Sequence, residues 1–108
     1  MFTWMTLPES YNMEGDKIVV CAGKGTNVFN EPSGNFRDTN FPFYCEEWEG
    51  DFVLSAKINP VFNSLYDLGC LMVWQDEDKW IKFAYENSDA GFPSIVSVVT
   101  NEYSDDCN

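Results

Sequence analysis

The side chains best suited to grip a ligand lie in the segment Trp80-Ile81-Lys82-Phe83-Ala84-Tyr85-Glu86. Side chains alternate along an extended chain. Trp80, Lys82, Ala84 and Glu86 therefore share one row and Ile81, Phe83 and Tyr85 the other, with about 7 Å between successive positions of a row. An aromatic ring, a cation and a carboxylate on one solvated row could hold a polar, ring-shaped molecule. The ring would stack on its apolar face while the charged groups fixed its hydroxyls. On this expectation Ile81, Phe83 and Tyr85 are core. The plainer alternative is an ordinary outer sheet face whose Lys and Glu make a cross-strand ion pair.

Other chemistry-bearing groups are sparser. Glu47, Glu49 and Asp51 fall on one side of an extended chain. With Asp67 and Glu86 they are the carboxylates open to a glycoside hydrolase, whose retaining form needs a pair about 5–5.5 Å apart. Nothing nearby would split their pKa values, so a solvated acidic edge is the simpler account. Asp76 and Asp78 could offer oxygens to calcium, but the Gly and the distal Glu of an EF-hand loop are missing. Ala22-Gly23-Lys24-Gly25-Thr26 lacks the spacing of a phosphate loop. The chain has no histidine, which removes Ser/His/Asp and Cys/His schemes and every His-containing metal site. Cys21, Cys45, Cys70 and Cys107 form no CxxC pair, so neither a thiolate zinc site nor a thioredoxin-like motif is supported. Thiols rather than disulfides are expected, because Cys70 sits mid-strand and the N-terminus lacks a signal peptide's segments. No metal and no cofactor is expected.

The candidate row belongs to a predicted hairpin over residues 66–86, turning at Gln75 to Lys79. Its first arm, Leu68 to Trp74, is a continuous apolar run that predicts a central strand buried on both faces. Residues 17–21 predict a strand after a turn at Glu14-Gly15-Asp16. Residues 27–40 predict a loop with one short strand, and Pro42 marks an edge strand. The segment Phe52 to Asn59 alternates cleanly and predicts a second strong strand. Ser94 to Asn101 is another, followed by an acidic tail. Trp4 is expected to dock the N-terminus onto a sheet. No helical spacing persists for three turns, so the fold class is all-β, an antiparallel β-sandwich.

At 108 residues, with aromatics at 17%, the chain is large and apolar enough for one folded domain spanning 1–108 and too short for two. Six basic against eighteen acidic residues leave a net charge of −12. A nucleic-acid backbone or an anionic membrane surface would be repelled, while neutral ligands such as sugars would not. There is no apolar run of about 18 residues to cross a membrane as a helix. A cytoplasmic location is the default expectation.

The runs LYDLGCLMVWQDEDKWIKFAYE and VVTNEYSD, with the opening FTW and the segment EGDF in order before them, resemble the regulation-of-enolase family. That is a domain of unknown function in the concanavalin A-like lectin and glucanase superfamily. The resemblance implies a jelly-roll sandwich of two antiparallel sheets that continues past the SD motif, so this chain would be the N-terminal portion of a longer domain. Trp74 and Asp106 depart from the family pattern. The resemblance also implies a non-catalytic carbohydrate-binding module or a regulatory protein-interaction domain. Tyr66, Asp67, Trp74, Trp80, Lys82, Glu86, Tyr103 and Asp105 form the candidate ligand set. A half-built sandwich exposes unpaired edges, so pairing of two copies is expected as well.

Overall fold

A computed structural model describes residues 1–107. Ten strands and no helix are found among them: β1 Thr3–Thr6, β2 Ser10–Glu14, β3 Lys17–Cys21, β4 Val28–Asn30, β5 Arg37–Thr39, β6 Phe43–Cys45, β7 Leu68–Asp76, β8 Lys79–Asn87, β9 Pro93–Asn101 and β10 Tyr103–Cys107. They make one four-stranded antiparallel sheet in the order β10-β9-β8-β7 and three strand pairs, β1-β6, β2-β3 and β4-β5. The fold class is all-β, as the alternating patterns predict, and the strand inventory is that of an incomplete sandwich.

Two compact units can be separated. The first comprises Met1–Phe29 and Phe36–Phe52, and the second Asn30–Asn35 with the chain from Val53 onward. In the first unit, β2 and β3 pair from Ser10↔Cys21 to Glu14↔Lys17. The turn between them places Gly15 at φ 60°, a conformation that suits the leading residue of a two-residue hairpin loop. The predicted docking of the N-terminus is found here, because β1 pairs with β6 and the Trp4 ring packs 4.9 Å from Tyr11 and 4.7 Å from Tyr44. The Met1 amine also pairs with Glu46.

The second unit holds the large sheet. β7 and β8 form the predicted hairpin, with Trp74 opposite Trp80 and Leu68 opposite Glu86. The turn closes when the Asp76 carboxylate accepts the Asp78 N–H at 2.8 Å. β8 pairs along its whole length with β9, and β9 folds back through Glu102 alone to pair with β10. The two hairpin ends are stitched together. Glu102 N–H donates to the Asp78 carbonyl at 2.6 Å, and the Asn30 amide donates to the carbonyls of Glu77 and Glu102 at 2.9 Å each.

Four expectations are corrected. Among the described residues β7 pairs only with β8, and it is half-buried, so it is an edge strand rather than a central one. A long apolar run records low polarity, but which neighbours pair with it is a long-range matter. Phe52 to Asn59 forms no strand, with Val53 fully open to solvent, because no described strand offers it a ladder. The acidic tail is instead the strand β10, recruited by the tight turn at Glu102, whose φ is 70°. Residues 27–40 hold two short strands, β4 and β5, where one was expected.

Candidate functional site

The register of the large sheet sorts its side chains into two faces. One carries Trp80, Lys82, Ala84 and Glu86 from β8 and Val96, Val98 and Thr100 from β9, and all of these are buried. The other carries Ile81, Phe83 and Tyr85 from β8 and Ile95 and Val99 from β9, and all of these are exposed. The expected assignment is therefore inverted. Trp80 is 2% exposed and Lys82 3%, whereas Ile81 is 50% and Phe83 55%. Both rows of β8 and β9 are rich in apolar groups, so a period of two locates two faces without deciding which is covered. Trp80, Ala84, Val96 and Val98 give the covered row an apolar surface of its own, and the four-carbon stem of the buried Lys82 adds to it.

Burial of the row has electrostatic consequences. Desolvation lowers the pKa of Lys82 from its ordinary value of 10.5, against the opposing influence of Cys70, Glu86 and Asp106. Desolvation likewise raises the Glu86 carboxyl, an effect eased by Lys82 and reinforced by Asp106 and Asp89. The Cys70 thiol is pushed up, chiefly by burial. The Lys82 ammonium lies 6.0 Å from the centre of the Trp80 ring, and the Trp74 and Trp80 rings stack with centroids 6.5 Å apart. A cation held toward neutrality beside a carboxyl held toward its protonated form is the pairing general acid–base chemistry uses. Lys82 and Glu86 are buried in this row together with Val96, Val98 and Thr100 of β9, while the facing residues of β7 are half-buried. The buried Trp80 indole N–H has no acceptor, and no sugar could stack on that ring as it stands.

The remaining candidates do not converge with this row. Tyr66 precedes β7 with φ 69°; its hydroxyl donates to Asp89 at 3.4 Å, and Asp89 is the main cause of its raised pKa. Asp67 is a turn residue, its carboxylate accepting the N–H groups of Asn63 and Ser64 at 2.9 Å. Trp74 lies on the sealed face opposite Trp80. Tyr103 and Asp105 point to the exposed face, since Asp105 pairs with Val99 and Val99 with Ile81. The set is thus divided between the two faces and the loop before β7. Glu47, Glu49 and Asp51 are exposed and lie outside any strand. Among the described residues no group of three or more His, Cys, Asp or Glu could hold a metal ion, and Asp76 accepts the Asp78 N–H in the turn. No disulfide joins the four cysteines, and no described helix is long and apolar enough to cross a membrane.

Three residues that matter carried little signal in the sequence. Asn30, in a stretch that reads as polar loop, ends β4 and is buried, its N–H donating to Ser104, whose hydroxyl also bonds Thr100 at 2.8 Å. Cys70 and Asp106 reach the Lys82 neighbourhood through register alone, Asp106 opposite Val98 and Val98 opposite Lys82. An open depression of roughly 500 Å³ lies in the first unit, lined by Met1, Thr3, Met5, Cys45, Glu46 and Glu47. None of the eight candidate ligand residues takes part in it.

Comparison with known proteins agrees with the motif resemblance. The chain is 30% identical over 103 residues to the protein named Regulation of enolase protein 1 of Saccharomyces cerevisiae (strain ATCC 204508 / S288c). That match covers 95% of this chain and 52% of the yeast protein, so the chain spans about half the length of its relative. No solved structure matches. The family described as "Protein of unknown function (DUF1349)" matches residues 4–108, and the chain belongs to it.

Proposed function

We propose that the chain is a non-catalytic regulatory module that acts by protein contact through the open apolar face of its four-stranded sheet. One observation carries this reading. The polar row that a sugar would need is sealed, while Ile81, Phe83, Ile95 and Val99 stand open in adjacent register. A contiguous apolar surface of this kind is costly in water and suits an interface. The printed name of the yeast relative is that of a regulator, in keeping with such a role, and a cytoplasmic site of action is part of the same proposal. The test is affinity capture from native lysate with wild-type chain and with Ile81→Thr/Val99→Thr, which keeps the charge and the β-branched shape. Partners that depend on the face are lost with the variant. An identical set captured by both chains would refute the reading.

Carbohydrate binding is the second reading, and exposed Tyr103 and Asp105, neighbours on β10, are what remains to support it. Titration calorimetry against a panel of neutral and acidic glycans tests it. Heat that disappears with Tyr103→Ala would favour sugar over protein, and silence across the panel would end the idea.

A further inference from the structure

Sulfur-bearing side chains of the first unit gather beside the β1–β6 pair. Thr3 stands opposite Cys45, and Met1 and Met5 lie two residues to either side of Thr3. Diagonal neighbours across an antiparallel pair are about 7–8 Å apart, within reach of a long, flexible side chain. Met1, Thr3, Met5, Cys45, Glu46 and Glu47 accordingly line one open depression of roughly 500 Å³. Two features direct the thioethers there. The Met1 amine pairs with Glu46, which ties the first residue to the one that follows β6, and the β1–β6 pairing skips Met5, an irregularity of the kind that re-aims a side chain. Trp4, from the alternate row, packs on Tyr11 and Tyr44 and anchors the strand.

The donor set decides the kind of ligand. Mg(II) and Ca(II) take oxygen ligands and Zn(II) takes thiolate, imidazole or carboxylate, whereas a thiolate together with thioethers suits Cu(I). Cys45 is a free, half-buried thiol, and Met5 is 51% exposed, so an ion entering from solvent meets both. Thioethers stand outside the His, Cys, Asp and Glu donors that fail to cluster elsewhere in the described residues. Glu46 and Glu47 at the depression, within a chain of net charge −12, draw a cation toward the sulfurs.

We infer that Cys45, Met1 and Met5 form a binding site for a Cu(I) ion. The site goes beyond the protein-contact reading and shares no residue with that face. On binding, a bond forms between the Cys45 Sγ and Cu(I), the thiol proton leaves to water, and the two thioether sulfurs add as neutral donors with no change of oxidation state. Affinity therefore rises with pH, because the proton competes with the ion for the same sulfur.

The experiment titrates the full chain, reduced and free of oxygen, with Cu(I) in competition with the chromophoric chelator bicinchoninate, and in parallel with Zn(II) against a zinc-sensitive dye. One Cu(I) per chain is expected. Its affinity should fall at least about tenfold in Cys45→Ser and again in Met5→Leu, since even an outer-shell change costs a metal site that much. Met5→Leu keeps the volume of a half-exposed side chain, and circular dichroism confirms that both variants fold. Cys21→Ser/Cys107→Ser is expected to keep the wild-type affinity. An affinity that Cys45→Ser leaves unchanged places the ion on another thiol and overturns the site. A loss confined to Cys45→Ser reduces it to a lone thiol and overturns the three-sulfur set. Zn(II) held as tightly as Cu(I) overturns the soft-ion class. Each of these failures leaves the protein-contact reading standing, because the two rest on different strands.

Discussion

Gly69 has no room for a side chain. A methyl group there would lie 2.5 Å from Ile58 Cγ2, well inside van der Waals contact, so the glycine is what lets the 53–62 segment lie on the sheet. Gly69→Ala is expected to cost about 1–3 kcal/mol by urea unfolding, and Ile58→Ala in the same chain to recover part of that loss. A neutral single variant would mean that Ile58 does not pack there. Glu102 poses the opposite case. Its φ of 70° is a left-handed conformation that a side chain resists, while its N–H donates to the Asp78 carbonyl and its own carbonyl accepts from the Asn30 amide. The sequence from Glu102 onward reads as an acidic tail; that Glu102 folds a one-residue reversal into β10 was not legible, because the preference comes from the strands it joins.

Strand β8 is where electrostatics and packing meet. Burial raises Glu86, so its folded form holds a proton that the unfolded chain releases, and its contribution is present below pH 4.5 and lost as pH rises through the raised value. Lys82 works in the other sense. Its lowered pKa makes the unfolded chain bind more protons, so stability rises as pH climbs from the folded value toward 10.5. Compared with wild type in urea titrations at a series of pH values, Glu86→Gln should remove the acid-side fall and Lys82→Met the alkaline rise. At neutral pH Lys82→Met alone is expected to destabilise, since Glu86 and Asp106 lose their cation. The double variant Lys82→Met/Glu86→Leu should be neutral or more stable by about 1–4 kcal/mol, because apolar replacements avoid desolvation of the pair. A double variant no better than the single one would show that these groups are not truly withdrawn from water. Strand identity and the hairpin partner were legible from alternation between Trp80 and Glu86. Which row is inward was not, since both rows of β8 and of β9 are apolar enough to be core.

The whole molecule combines a heavily acidic composition with an apolar sheet face, and each limits the other. Charge keeps copies apart and favours solubility, while the face favours association. The two edges of the large sheet are guarded unequally. β10 carries Asp105 and Asp106, which discourage pairing, whereas β7 runs nine residues without Lys or Pro. A dye such as 1-anilinonaphthalene-8-sulfonate is expected to bind the folded chain through the face, with fluorescence falling in Ile81→Thr/Val99→Thr while the circular dichroism stays unchanged. Equal fluorescence from both chains would place the apolar exposure elsewhere, for instance on the β2–β3 hairpin, whose Ile18, Val19 and Val20 are also open.

Residue order by itself determined the fold class, the two hairpins turning at Gly15 and near Glu77, the docking of Trp4 and the acidic character, because these follow from alternation, turn chemistry and counting. Family membership was written there too, in motifs spread along the chain. Only the tertiary structure decided that β7 is an edge, that residues 52–59 form no strand, that Asn30 ties two hairpin turns, and that Lys82 rather than Phe83 is buried. Each of these depends on which distant strand arrives as a neighbour. Local periodicity carries no record of that, since a strand with two apolar rows is equally ready to be covered on either side.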